Sequence, residues 1–241
     1  MTRYYIGTSG WYYDDWRKRF YPPGLAKAGW LEFYAQHFDT VELNNTFYRL
    51  PTEKVFNNWY ANTPDNFLFT VKASRLITHL KRLKDTGETV DNFMSRAALL
   101  KEKLGPVLYQ LPPGLHRDDG QLEAFLTTLQ PGTRHVFEFR HQSWLTEEVY
   151  EILRRYGAGM CVFDMPGLSC PLIATSGFAY IRFHGSQSLY SSCYSEEELA
   201  GWAEGIKKLA GDLERVYIYF NNDVQGFALK NAATLRGYLK D

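Results

Sequence analysis

The chain is poor in the features that set a protein's class at a glance. Only three cysteines occur in 241 residues. Cys161, Cys170 and Cys193 form no CxxC pair, which excludes a zinc ribbon or a disulfide scaffold and reads as free thiols in a reducing cytoplasm. Neither sign of charge is in surplus: 27 Lys and Arg face 27 Asp and Glu, for a net charge of zero. No run of like charge occurs, which argues against a broad basic face for duplex nucleic acid but leaves room for a local anion pocket. No stretch is long and apolar enough to span a bilayer, and no apolar leader precedes the first strand. The expectation is a soluble, cytoplasmic protein with no membrane partner. The dinucleotide fingerprint GxGxxG is missing, since Gly7-Thr8-Ser9-Gly10 runs into aromatics rather than a helix. Paired histidine spacings such as HxH or HExxH are missing too. No Gly/Pro/Ser linker divides the chain, so residues 1–241 read as a single domain.

What the chain does have is rhythm. Apolar or alternating runs at 4–8, 40–44, 67–73, 107–111, 136–140, 159–163, 178–183 and 215–220 read as eight strands. Helical periodicity at 26–38, after Thr52, at 90–103, after Asp118, from Thr146, after Ser195 and in a last helix carrying Phe227 to Leu239 fills most of the gaps. Asp118 with Gln121, and Ser195 with Glu198, have capping-box spacing. Residues 74–89 are polar, with room for one helical turn. Residues 164–176 hold Pro166, Gly167 and Pro171, so the unit after the sixth strand lacks a full helix. Strands separated by helices form parallel βαβ units. Eight of them in this length predict an α/β fold, a single (β/α)8 TIM-type barrel.

Five motifs support a resemblance. Ile6-Gly7-Thr8-Ser9-Gly10-Trp11, residues 41–48 (VELNNTFY), Glu138-Phe139-Arg140-His141 with Trp144, Arg182-Phe183-His184-Gly185, and Tyr219-Phe220-Asn221-Asn222 together resemble the YecE-like family, or DUF72 domain, in order along the whole chain. The resemblance implies a TIM-type barrel and carries no settled activity.

Barrel chemistry sits at the C-terminal ends of the strands. Residues 136–144 show why that end matters here. Val136, Glu138 and Arg140 share one face of a strand, and neither charge belongs in a strand interior unless that face lines a polar cavity or each finds a partner. The other strands offer polar groups at the same end: Glu42 and Asn44, Lys72, Gln110, Asp164, Arg182 and His184, Tyr219 and Asn221. As a bland alternative, Glu42, Glu138, Arg140 and Arg182 form an inert ion-pair network.

On the functional reading, Arg140, Arg182 and Lys72 bind an anion, the arginines as forks and the lysine as a point charge. Glu42, Asn44, Gln110, Asp164, Tyr219 and Asn221 position the ligand, and the loop aromatics Trp11, Phe47, Tyr48, Trp144 and Tyr190 either stack on it or roof the barrel as ordinary packing. The catalytic candidates are His184, Glu138 and Lys72. His184 is the best general acid or base, since an unperturbed imidazole titrates near neutrality, and its alternative is a structural histidine donating to a backbone carbonyl. Glu138 acts as a base only if burial outweighs its arginines. A Schiff base at Lys72 is disfavoured because nearby carboxylates keep the amine protonated. A divalent ion on Glu42, Glu138, Asp164 and His184 is disfavoured by the basic residues sharing the pocket, so no cofactor is expected. The reading is an enzyme acting on a small phosphorylated or carboxylated ring compound. Its rivals are nucleic-acid binding by base stacking and phosphate contacts, and a non-catalytic metabolite sensor.

Overall fold

The computed structural model describes residues 2–240. Eight parallel strands form one sheet: β1 (Arg3–Thr8), β2 (Thr40–Leu43), β3 (Leu68–Lys72), β4 (Leu104–Gln110), β5 (His135–Glu138), β6 (Gly159–Asp164), β7 (Phe178–Phe183) and β8 (Arg215–Phe220). Their order is β1-β8-β7-β6-β5-β4-β3-β2, so each strand lies beside its neighbours in sequence and β8 returns to β1. The result is a nearly closed α/β barrel. Its helices are α1 (Trp30–Ala35), α2 (Asn45–Tyr48), α3 (Glu53–Ala61), α4 (Gly87–Ala97), α5 (Asp119–Leu126), α6 (Glu147–Arg155), α7 (Glu196–Leu209) and α8 (Phe227–Leu239).

Closure at β1 and β2 uses a side chain. The buried Tyr34 hydroxyl, on α1, accepts from the Thr8 backbone N–H and Oγ1 (both 3.0 Å) and donates to the Thr40 carbonyl at 3.1 Å. One phenol thus bridges the seam. Gly7 lets the strands approach this closely, because a Cβ there would overlap the Thr40 carbonyl oxygen.

Strand alternation divides the apolar residues into two cores. Outward-facing residues pack against the helices in the larger one. The inner one contains Tyr5, Leu108, Val136, Cys161, Phe178, Tyr180, Tyr217 and Tyr219. Four tyrosines inside a barrel need partners for their hydroxyls. Tyr219 finds them in Thr40 Oγ1 (2.7 Å) and Thr70 Oγ1 (2.8 Å), which places it one tier below the mouth.

The link from β6 to β7 contains no helix, in keeping with its Pro and Gly content. Thr175 fastens it, accepting from Met160 N–H and donating to the Ala158 carbonyl. Residues 74–89 supply one π-helical turn, Leu76–Leu80. Two helices are shorter or more broken than their periodicity suggests. The first begins as a 3-10 turn, Lys27–Gly29. The helix expected over 90–103 passes into 3-10 geometry at Ala98 and breaks at Lys101. The Ser195–Glu198 capping box is complete, whereas only the Asp118 half of the other forms. Among the described residues, no helix is long and apolar enough to cross a membrane.

Candidate functional site

The C-terminal mouth is organised around Arg182. Its β7 position, in phase with Phe178 and Tyr180, points it into the barrel, where it lies between carboxylates from opposite walls. Nε and Nη2 donate to Glu42 Oε2 and Oε1 at 3.0 and 2.7 Å, and Nη1 donates to Glu138 Oε2 at 2.5 Å. Glu42 also accepts from Tyr180 (2.5 Å) and Ser9 (2.7 Å). All three charged groups are buried. Burial pushes the Glu42 carboxyl up, but Arg182 and Tyr180 more than reverse this, and it ends below the usual carboxylate range. Glu138 ends well below that range, because Arg140 and Arg182 overcome its burial. Arg182 is therefore consumed within the protein.

Arg140 lies just past the end of β5 and its side chain is 7% exposed. It pairs with Glu138, its Nη2 lies 2.9 Å from His184 Nε2, and its Nη1 meets Met165 Sδ at 3.1 Å. Its Nε is buried without an acceptor. His184 is closely surrounded: Arg182 Nη1 also faces Nε2 at 3.4 Å, Glu138 Oε1 lies 3.4 Å from the same nitrogen, and the Asn221 amide lies 3.1 Å from Nδ1. With two guanidiniums on Nε2, that nitrogen is an acceptor and the ring is neutral. Burial and Arg182 hold its pKa down at about 4. An imidazole held this way does not keep its unperturbed, near-neutral pKa. Its lone pair orients Arg140.

Lys72 ends β3 at the same mouth, with Nζ 4.5 Å over the Phe47 ring. Among the described residues it makes no ion pair. Burial, then Arg182, brings its pKa down to about 8, against the pull of Glu138 and Glu42. The amine is thus easier to deprotonate than an ordinary lysine, although Glu138 and Glu42 still favour its charged form and most of it is protonated at pH 7.

The remaining predicted residues divide. Gln110 faces the mouth beside Glu138, its amide donating to the Leu111 carbonyl at 3.3 Å. Asn44 reaches Ser9 only at 3.5 Å and leaves Oδ1 buried without a partner. Tyr190, in a left-handed conformation with φ of 64°, sits edge-on to His184 with ring centroids 5.6 Å apart. Trp11 and Tyr48 line a side cleft of about 580 Å3 with Tyr13 and Trp59. That cleft meets the ring through Ser9, which lines the one and bonds Glu42 in the other.

Three residues do not reach the pocket. Asp164 lies one residue out of phase with the inward-facing Cys161 and bonds Tyr194 on the outer side. Trp144 is no rim residue: the 3-10 turn Gln142–Trp144 folds it onto Phe139 at 4.9 Å, and its indole N–H donates to the Leu115 carbonyl. Tyr219 is sealed below the ring by its two threonines. With Asp164 turned away and arginines on Glu42 and Glu138, no three His, Cys, Asp or Glu among the described residues are arranged to hold a metal ion.

Sequence reasoning missed Ser9, Tyr180 and Asp223. Each lies two residues from an inward-facing neighbour (Gly7, Arg182 and Asn221), and that phase would have found them. Asp223 bonds Tyr13, and burial raises its pKa to about 7. The Tyr13 hydroxyl also donates to the Ser9 carbonyl at 2.5 Å.

The fold and this mouth define a (β/α)8 barrel with a ring of buried charge at the C-terminal ends of its strands. The chain belongs to the DUF72 family, whose model, described as "Protein of unknown function DUF72", matches residues 5–241. It is 28% identical over 261 residues to UPF0759 protein YunF of Bacillus subtilis (strain 168), covering 94% of this chain and 91% of that one. UPF0759 protein YecE of Escherichia coli (strain K12) is 31% identical over 144 residues, 59% of this chain and 50% of the relative. A DUF72 family protein from Thermotoga maritima, solved by crystallography, superposes with a TM-score of 0.90 at 34% identity, over 99% of this chain and 100% of that one. One from Enterococcus faecalis shares the fold, with a TM-score of 0.86 at 20% identity over 99% of this chain and 96% of that one.

Proposed function

We propose that this protein is a cytoplasmic enzyme acting on a small phosphorylated or carboxylated ring compound held at the barrel mouth. One observation carries the reading. Among the described residues, Asn44, Arg140, Ser186 and Asp223 each bury a side-chain polar atom that has no hydrogen-bond partner, and all four follow strands at this one mouth, whereas Tyr150 and Tyr217 bury theirs elsewhere. Folded proteins rarely tolerate such atoms, and a cluster of them marks a place where a ligand completes the bonding. The anion belongs at Arg140 and Lys72, because all three nitrogens of Arg182 are already engaged by Glu42, Glu138 and His184. The ring of the compound belongs against the aromatic wall of Trp11, Tyr13, Tyr48 and Trp59. Lys72 and Asp223 are the groups that exchange protons near neutral pH, while His184 and Glu138 hold the arginines in place.

The test is a thermal-shift screen of phosphorylated and carboxylated ring compounds, followed by calorimetry on the hits. Arg140→Ala removes charge-assisted hydrogen bonds of about 1.5–3 kcal/mol and should weaken binding by roughly 10- to 150-fold. Saturable binding that Arg140→Ala leaves unchanged would overturn the assignment. Retention of single-stranded oligonucleotides, with affinity falling steeply with salt, would move the site to nucleic acid.

A further inference from the structure

The way the ring is paired leaves one amine over. Glu42 and Glu138 are matched by Arg182 and Arg140, and His184 is neutral, so Lys72 is the fifth charged group of a site whose other four cancel. The chain contains its own comparison. Lys103, buried where Lys72 is half-buried, is anchored by the Tyr60 carbonyl at 2.8 Å and the Thr63 carbonyl at 2.7 Å, the arrangement expected of a structural ammonium. Lys72 has no such acceptors among the described residues, only the face of Phe47. It is fixed by β3 at the mouth, in phase with Thr70 and Leu68, where a ligand arrives. Arg140, with an unpartnered Nε, belongs to the same site.

From this geometry we infer that Lys72 is a nucleophile that forms an imine with a small carbonyl compound bearing a carboxylate or phosphate, the anion resting on Arg140. The inference rests on the anion site proposed above and names the reactive group of its ligand. The neutral amine adds its lone pair to the carbonyl carbon, giving a carbinolamine. The carbinolamine nitrogen then expels the hydroxyl as water as the C=N bond forms, with the amine's protons balancing the departing oxygen. Nothing is oxidised or reduced, and no further reactant is needed. At pH 7 a pKa of about 8 leaves about one Lys72 amine in ten unprotonated, against fewer than about one in a thousand for an ordinary lysine.

The experiment is borohydride trapping. The protein is incubated near pH 7 with glyoxylate, with pyridoxal 5′-phosphate, or with uncharged formaldehyde, then reduced, digested and mapped by mass spectrometry. The inference expects Lys72 to be labelled on the order of 100-fold faster than surface lysines. Arg140→Ala should slow labelling by glyoxylate and pyridoxal 5′-phosphate but not by formaldehyde. Lys72→Arg, checked for folding by circular dichroism, should leave only the slow surface background. Labelling of Lys72 no faster than surface lysines overturns the inference. If benzoate still binds in an Arg140-dependent way in that case, the anion site stands without the imine. Fast labelling by all three aldehydes that Arg140→Ala does not alter would refute the grip of Arg140 on the anion.

Discussion

Arg182→Met is the most exposing perturbation of this ring. The guanidinium gives three N–H···O bonds, of 2.5, 2.7 and 3.0 Å, to two buried carboxylates. Methionine is similar in length and fills the space, so the loss is electrostatic rather than a cavity. Removing one partner of a buried ion pair costs about 3–5 kcal/mol, because the other charge is left uncompensated. For a chain of this size that lowers the melting temperature by about 6–20 °C. Glu138 keeps Arg140, so most of the penalty falls on Glu42, whose strongest downward influence disappears. In the wild type, the lowered Glu42 pKa contributes stability above the unfolded carboxylate value that is lost as pH falls through the folded one. In the variant, burial dominates and raises that pKa, so acid should relieve Arg182→Met. Urea unfolding should therefore show a larger deficit at pH 8 than at pH 5. The double variant Glu42→Gln with Arg182→Met should lose less than the sum of the singles. A deficit below about 1 kcal/mol with no pH dependence, or simple additivity, would refute the reading of the ring as a mutually compensating set.

Two buried groups should leave opposite marks on the pH dependence of stability. The depressed His184 pKa of about 4 gives stability that is lost as pH falls from its unfolded value near 6.5, so His184→Asn should reduce acid sensitivity in that window. The raised Asp223 pKa of about 7 gives stability that is lost as pH rises from about 4 toward 7, so Asp223→Asn should make stability less sensitive to rising pH there; unfolding titrations of both variants against wild type check the two signs. Gly7→Ala should cost about 1–3 kcal/mol by forcing β1 from the Thr40 carbonyl, with a lowered urea midpoint as the readout. Anion binding near pH 8 should draw up to about half a proton onto Lys72, seen as a buffer-dependent calorimetric enthalpy that vanishes in Lys72→Arg.

The barrel was legible because its evidence is local and repeated. Each strand is an apolar or alternating run bounded by turn residues, and eight such runs between helices leave few topologies. The polar mouth was legible for the same reason, since the two-residue period of a strand puts Glu138, Arg140, Arg182 and His184 on inward-facing positions. Pairing across the barrel was not legible. Glu42 and Arg182 lie 140 residues apart, and nothing in either segment says which carboxylate meets which guanidinium. The placements of Asp164 and Trp144 went wrong on phase and on local turn geometry. Asp164 ends its strand but follows the inward-facing Cys161 by three positions, an odd step that puts it outside. Trp144 follows a strand end as a rim residue would, yet its 3-10 turn reverses it into the core.

The same cross-barrel pairing decides what the site can do. Counted as types, its residues are two carboxylates, two guanidiniums, an imidazole and an amine, a list that favours the imidazole as proton carrier. Paired as the structure pairs them, the carboxylates neutralise the guanidiniums and the guanidiniums neutralise the imidazole's basicity. Each contact that fixes Arg140 and Arg182 takes His184 and Glu138 out of proton transfer. The amine is left beside two guanidiniums whose counter-charges are already engaged, and their residual field, with burial, lowers its pKa. On the proposed reading, a network that looks inert residue by residue creates the reactive group, because its neutrality deprives Lys72 of a partner. Inert ion-pair layer and functional mouth are two descriptions of one arrangement, and Lys72 is where they meet.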